Sequence, residues 1–364
     1  MPKPFVPHRL PIEDQLDWRQ LSGPLSRATS AVTRYDECTK SLLNADLLLG
    51  PLLKREAELS SRIEGTLATL NDVFYAEAGA IPKTEEIKHD VQEIQNYQKA
   101  LLMGKDWLED NPLSLLLVRQ LHQILMDSVR GADKNPGQIR TNQNAVGRKS
   151  GGVTEARYLP PSPELLQEFL ENWQAYLQQP SETPLVQAAV MFAQFEVIHP
   201  FSDGNGRLGR LLIPLFLKKM GVLNSPTFYL SEYLEQHREE NNDRLLAISE
   251  DNDWQGWVLF FLGALEHQAS QNCTKANLIT QLYSTLRQPF QNAANSQHAA
   301  GVQDAFFTAP VMRMKTLQNQ TRIKSRATLY RIVEKLLDAG LLKVSEKAGQ
   351  NASLYYLPSL LELL

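Results

Sequence analysis

The chain has 364 residues, 43% of them apolar and 21% charged, near the average of soluble globular proteins. That length suits roughly two domains and a core that needs no disulfide support, which excludes a disulfide-stapled mini-protein, a collagen-like chain and an intrinsically disordered one. The net charge of −4 creates no overall basic field toward nucleic acid or anionic lipid, although residues 302–364 carry nine Lys/Arg against five Asp/Glu.

Residues 1–25 are Pro-rich with little periodicity and read as an extended arm. Their first stretch, MPKPFVPHRLPIEDQ, lacks the apolar segment of a secretory signal. Helical patterning runs from Ser26 to Leu53 and from Lys54 towards Phe74. Between Thr84 and Leu102 the apolar residues Ile87, Val91, Ile94, Leu101 and Leu102 are read as one face, with Glu85 and Glu86 in the first turn where the helix dipole favours them. Asn111-Pro112 opens a further helix through Leu125. Residues 129–163 are rich in Gly, Pro and Asn, and Gly151-Gly152 marks a hairpin turn. Ser162-Pro163 starts the next helix.

Thr183-Pro184 then opens a helix that is apolar almost all round, Leu185 to Ile198, the pattern of a helix buried at a domain centre. It runs into His199-Pro200-Phe201 and a glycine-rich loop, after which Gly206 to Met220 is helical and stops at Gly221. Helices are expected from Ser231 to Ser249 and from Trp254 to Arg287. Residues 288–301 are small and polar and read as a linker. Beyond them, two helices (Thr316–Gln320 and Ser325–Ala339) precede two short strands (Leu341–Val344 and Leu354–Leu357) around a polar turn, Lys347 to Ser353. That order is a winged-helix pattern. The two cysteines, Cys38 and Cys273, form no CxxC, and apolar runs such as Leu211–Leu217 fall short of the ~18 residues of a membrane span. A cytoplasmic protein with no membrane association is expected.

One segment concentrates chemistry: His199-Pro-Phe-Ser-Asp-Gly-Asn-Gly-Arg-Leu-Gly-Arg210. Glycines let backbone N–H groups approach an anion, and a loop that ends at a helix N-terminus aims unpaired N–H groups and the positive dipole end at it. Arg207 and Arg210 share a face of the first turn, so two guanidinium forks stand beside that nest, which suits a polyphosphate. Asp203 at the loop edge is placed to hold Mg²⁺ against the same phosphates. His199, at the end of a rigid helix, can reach a hydroxyl placed over the loop. Gly204 to Gly209 also spells GxGxxG, but the dinucleotide fingerprint must follow a strand and here it follows a helix.

HPFSDGNGRLGR resembles the signature of Fic-domain proteins, HPFx(D/E)GNGRxxR, at every fixed position. The resemblance extends over about residues 40–270, and a C-terminal winged helix is a common companion. It implies a mainly α fold: a Fic helical bundle with a β-hairpin flap beside the site, plus the winged-helix domain. The corresponding division is an N-terminal arm and helical region (1–110), a Fic core (111–287), the linker (288–301) and the winged helix (302–364). Most members move AMP from ATP to a Ser, Thr or Tyr hydroxyl of a target protein, sometimes themselves; a few transfer other phosphate-containing groups. On that resemblance His199 is the general base and Phe201 pins the loop. Asp203 ligates Mg²⁺. Gly204, Asn205 and Gly206, continuing through Leu208 and Gly209, form the nucleotide-binding turn. Arg207 takes the β-phosphate and Arg210 the γ-phosphate.

Upstream, Ser60-Ser-Arg-Ile-Glu-Gly65 resembles the family's inhibitory helix, (S/T)xxxE(G/N). Pairing of Glu64 with Arg210 would occupy the guanidinium meant for the γ-phosphate, with Ser60 in the same motif. The flap, residues 145–160 with Gly151, Gly152, Val153 and Tyr158, would hold a target by strand addition. Many relatives carry a Tyr pair after the motif, where this chain reads Asn241-Asn242; Tyr229 and Tyr233 nearby are expected to pack in the core. Homodimerisation would fit the family. Arg322, Lys324, Arg326 and Arg331 near the second tail helix would serve DNA phosphates, and an alternative role is a DNA-binding regulator whose Fic core senses nucleotide.

Overall fold

A computed structural model describes residues 4–40, 42, 45–129, 133–150, 153–345 and 353–364. The helices and strands follow in the order α1 (Trp18–Lys40), α2 (Ala45–Ile63), α3 (Leu70–Glu77), α4 (Glu85–Asp110), α5 (Leu115–Leu125), β1 (Val146–Ser150), β2 (Val153–Tyr158), α6 (Pro163–Leu177), α7 (Pro184–Ile198), α8 (Asn205–Lys219), α9 (Ser231–Gln236), α10 (Arg238–Asp251), α11 (Trp254–Ala294), α12 (Ala299–Thr308), β3 (Val311–Arg313), α13 (Met314–Thr321), α14 (Arg326–Asp338), β4 (Lys343–Ser345), β5 (Leu354–Tyr356) and α15 (Pro358–Leu361). The fold is mainly α with two small antiparallel sheets. No helix among the described residues is long and apolar enough to cross a membrane.

The chain forms two compact units. The first comprises residues up to 36, 59–65 and 96–270. Its centre is α7, buried from Leu185 to Phe195 and again at Val197 and Ile198, as an all-round apolar helix demands. The indole N–H of Trp173 donates to Met191 O at 2.9 Å and that of Trp257 to Ala189 O at 2.8 Å, so two large rings close over the helix without leaving a buried donor unpaired. Helix α8 packs along α7, and α5 packs on α8. The β1–β2 hairpin pairs Val146 with Tyr158 and Ser150 with Val153, with a bulge between Val146 and Gly147. Gly151 and Gly152, expected at its tip, lie outside the described residues.

The second unit comprises residues 37–58, 66–95 and 271–364. It contains a three-stranded sheet with β5 between β3 and β4, whose face carries Val311 and Leu354 against Leu70 and Phe74 of α3 and Ala78 just after it. Thr69 caps α3 through a reciprocal capping box with Asp72. The Arg313 guanidinium donates to Gly79 O, which ties β3 to the turn after α3.

Several boundaries differ from the sequence reading. The extended arm ends at residue 17, because Trp18 already starts α1, which carries Pro24 inside it. Residues 288–301, expected as a linker, are helical at both ends: α11 runs to Ala294 and α12 begins at Ala299. Phe290, Ala294 and Ala299 are buried there, so the polar composition marks an exposed helix face rather than a break. Strand β3 and helix α12 were not expected; three residues are too few for an alternating pattern to register.

Candidate active site

Helix α7 stops at His199, which adopts a left-handed conformation (φ 49°, ψ 61°), and Pro200 follows, so the helix cannot continue. Phe201 is fully buried and stacks on the His122 ring with centroids 3.8 Å apart. The Asn205 side chain clamps the same residue twice: its Oδ1 accepts the Phe201 N–H at 2.9 Å and its Nδ2 donates to Phe201 O at 2.8 Å. Gly204 (φ 76°) makes the turn into α8, and a Cβ there would lie 2.7 Å from Met126 Sδ, so both conformation and space require glycine. The first intrahelical bond of α8 runs from Leu208 N–H to Gly204 O at 3.1 Å, which leaves the Asn205, Gly206 and Arg207 N–H groups at the helix N-terminus. Leu208 and Gly209 are buried in the packed face of that helix. Asp203 stands exposed at the loop mouth, and its Oδ1 accepts the Gly204 N–H at 2.7 Å.

Both arginines of the loop are buried. Arg207 is 3% exposed, with Nη2 3.5 Å from Met126 Sδ. Arg210 is held by the last turn of α2 and the residue after it. Its Nε donates to Ser60 Oγ at 2.9 Å, and its Nη2 to Ser60 O at 2.8 Å and to Glu64 Oε1 at 2.7 Å. Partial loss of solvent disfavours charge on Glu64, but Arg210, by charge and hydrogen bond, and the charge of Arg207 outweigh it and hold the carboxyl below its usual range. Glu64 reaches this position because residue 206 has no side chain: a Cβ there would lie 2.3 Å from its Oε1.

The His199 Nδ1–H donates to Glu196 O at 3.3 Å, which leaves Nε2 as the lone-pair nitrogen. Burial pushes the imidazole down to about 4, so the ring is neutral at physiological pH. Glu196, one turn earlier, is a second carboxylate in the site; burial raises it to about 7, aided by Glu64 and opposed by Arg210. Its Oε1 is buried without a hydrogen-bond partner against Gly209, where a Cβ would lie 2.2 Å away. His199, Glu64, Glu196, Gly206 and Arg210 line one cavity of about 850 Å³. The cavity is also lined by Val146, Gly147, Arg157 and Tyr158 of the hairpin and Asn241, Asn242, Leu245 and Leu246 of α10. Arg157 and Asp243 form an ion pair at 2.8 Å between hairpin and α10. The Tyr158 hydroxyl donates to Val197 O at 2.7 Å. Val153 pairs with Ser150 at the far end of the hairpin.

Tyr229 is buried in the core as expected, whereas Tyr233 is only half-buried and stacks on His237 with centroids 4.1 Å apart. Among the described residues no group of three or more His, Cys, Asp or Glu forms a metal cluster. Asp203 alone offers an exposed carboxylate at the loop, a donor set suited to a cation that shares its ligands with phosphates. Sequence reasoning passed over three residues. His122 accepts the Gly137 N–H at Nδ1 (2.8 Å) and donates from Nε2 to Asp203 O (2.9 Å), bracing the loop from α5. It sits among Val118, Leu121 and Leu125 on the buried stripe of α5, and a polar residue on an apolar face is the signal that marks it. Arg140 and Glu196 carry no such signal.

A left-handed histidine at the end of the central helix, a glycine turn into the next helix and two buried arginines beside it define the site of a mainly α-helical protein. The chain matches the Fic/DOC family N-terminal region over residues 23–106 and the Fic/DOC family over residues 112–217, together just over half its length. It belongs to the Fic/DOC family. It is 26% identical over 290 residues to protein adenylyltransferase Fic of Drosophila mojavensis, covering 76% of this chain and 50% of that protein. Protein adenylyltransferase fic-1 of Caenorhabditis elegans is 30% identical over 116 residues, covering 31% of this chain and 21% of that one. The chain thus spans half or less of the length of these curated relatives. A solved Fic family protein from Desulfovibrio desulfuricans G20 shares the fold, with a TM-score of 0.55 at 19% identity over 91% of this chain and 95% of that one.

Proposed function

We propose that this chain is a self-inhibited protein adenylyltransferase that moves AMP from ATP to a Ser, Thr or Tyr hydroxyl of a target protein, itself included. The observation that supports this reading most is the convergence of His199, Gly206, Arg210 and Glu64 on one cavity, with Nε2 of a neutral His199 left as the lone-pair nitrogen. The Asn205, Gly206 and Arg207 N–H groups receive phosphate oxygens, Arg207 the β-phosphate, and Arg210 the γ-phosphate once released from Glu64. Asp203 would hold Mg²⁺, which neutralises phosphate charge when bound. Nε2 of His199 takes the proton of the target hydroxyl as its oxygen bonds to the α-phosphorus; the bond to the bridging oxygen breaks and pyrophosphate leaves. Positioning and charge neutralisation supply most of the acceleration.

In this reading the Glu64–Arg210 pair is the off state, and the hairpin edge holds the target backbone by strand addition. Asn241 and Asn242 replace ring stacking by hydrogen bonding at the cavity wall, which leaves open the transfer of another phosphate-containing group. The test is one gel: wild type, Glu64→Gly and His199→Ala with Mg²⁺ and α-³²P-ATP, with and without cell lysate. A label that rises with Glu64→Gly and vanishes with His199→Ala is expected; no label in any lane refutes AMP transfer.

A second reading rests on the tail, whose α13–α14 elements and β4–β5 pair we take as a winged helix. Arg322, Lys324, Arg326 and Arg331 are all exposed there, as a DNA-phosphate face requires. Binding to duplex DNA that weakens steeply with salt, without covalent labelling, would favour a DNA-binding regulator.

A further inference from the structure

Helix α7 ends with carbonyls that have no intrahelical partner, and each must be satisfied elsewhere. Their partners come from a small set of residues. Val197 O accepts the Tyr158 hydroxyl at 2.7 Å. Ile198 O and His199 O accept Arg140 Nη2 at 3.5 Å and Nε at 2.8 Å. Pro200 O accepts the Arg140 backbone N–H at 2.9 Å. Phe201 O accepts Asn144 Nδ2 at 2.8 Å, besides its bond from Asn205. Two further bonds take Arg140 Nη1 to Asn142 O at 3.0 Å and Nη2 to Pro161 O at 2.6 Å. Arg140 therefore reaches the carbonyls of three successive residues, 198 to 200, through the turn that carries His199, and also binds the segment that leaves the hairpin.

Arg140 is 4% exposed, and among the described residues no carboxylate pairs with it. A buried guanidinium without a counter-ion is unfavourable unless its donors are met, and here carbonyl oxygens at the negative end of a helix meet them. His199 sits at φ 49°, ψ 61°, a conformation that a non-glycine residue holds only where its surroundings enforce it. We propose that Arg140 is a positioning residue for His199: its guanidinium locks the left-handed turn that aims the imidazole into the cavity and ties that turn to the base of the hairpin. This rests on the adenylyl-transfer reading of the site. Lysine keeps the charge but cannot direct donors at several carbonyls in one plane, and glutamine keeps neither the charge nor the fork.

The experiment places Arg140→Gln and Arg140→Lys in the Glu64→Gly background and measures kcat and KM for ATP, with thermal melts as the check on folding. The expected result is a kcat about 100-fold lower for glutamine and about tenfold lower for lysine, with KM for ATP held within about twofold, because the base is misplaced while the phosphate loop is intact. Both folded variants keeping kcat within about twofold of the background overturns the proposal. If glutamine does not fold, lysine alone decides by the same criteria. In parallel, the imidazole signals of ¹³C-histidine-labelled protein, with His199 assigned by its loss in His199→Ala, are compared between the parent and Arg140→Lys. A shifted or broadened His199 signal supports the positioning role; an unchanged one overturns it. That second readout stands even if Glu64→Gly transfers no AMP, in which case the adenylyl-transfer reading fails separately.

Discussion

Glu64→Gly removes one of the three bonds that hold Arg210 and leaves the two to Ser60 in place. A hydrogen bond between charged groups is worth about 1.5–3 kcal/mol. The Glu64 side chain is 39% exposed, so solvent screening lowers its contribution to about 1–2 kcal/mol. If that is the margin by which the guanidinium prefers Glu64 to an incoming γ-phosphate, its removal raises the transfer rate about 5- to 30-fold, since 1.4 kcal/mol is a factor of ten. The assay is the initial rate of ³²P incorporation from α-³²P-ATP at subsaturating nucleotide. Ser60→Ala deletes a hydroxyl acceptor but keeps the carboxylate, so its rate should rise by less than about threefold. A Glu64→Gly rate equal to or below wild type, with labelling still dependent on His199, refutes the brake.

Three further outcomes follow from the site's electrostatics and packing. His199 is pushed down to about 4, so transfer by the Glu64→Gly protein should hold from pH 8 to about 5.5 and fall only towards 4; a pH–rate midpoint near 6.5 contradicts the buried neutral imidazole. Glu196 is raised to about 7, so the folded protein keeps a proton that the unfolded chain releases near 4.5. Its contribution to stability is full below that value and is lost as pH rises through 7, by about 3 kcal/mol at most. Urea melts at pH 5 and pH 8 should therefore differ less in Glu196→Gln than in wild type, and an equal difference rejects the assignment. Gly209→Ala would place a Cβ 2.2 Å from Glu196 Oε1 and should cost about 1–3 kcal/mol in a thermal or urea melt. Glu196→Ala in the same chain should restore part of that loss, and strict additivity of the two changes rules out the contact.

The resemblance to Fic proteins was readable because its carriers are local. His199 through Arg210 is one uninterrupted segment, and a turn into a helix N-terminus is specified by glycines and by what precedes them. Helix α7 was equally plain, since an apolar surface all round has nowhere to go but inside. Strand β3 and the helical ends of 288–301 were missed because short or polar elements owe their form to what they pack against: Val311 to Leu354 and α3, Phe290 and Ala299 to buried positions.

Within the site the division is sharper. Asn205 was expected to contribute to an anion nest, and its backbone N–H lies there, but its side chain is spent on Phe201. The motif alone could suggest that Glu64 faces Arg210; only the folded chain brings residues 146 apart in sequence to 2.7 Å, through the notch at Gly206. His122 is marked in the sequence only as a polar residue on an apolar face, and Arg140 and Glu196 depend wholly on tertiary packing. An Arg in a loop and a Glu on a helix read as ordinary residues until burial removes water from them and leaves backbone carbonyls or other charges as their surroundings. The sequence alone determined the chemistry available at the loop and the helix that presents it. The tertiary structure decided which buried charges restrain that chemistry, because hydrogen bonds and dielectric are properties of neighbours in space rather than along the chain.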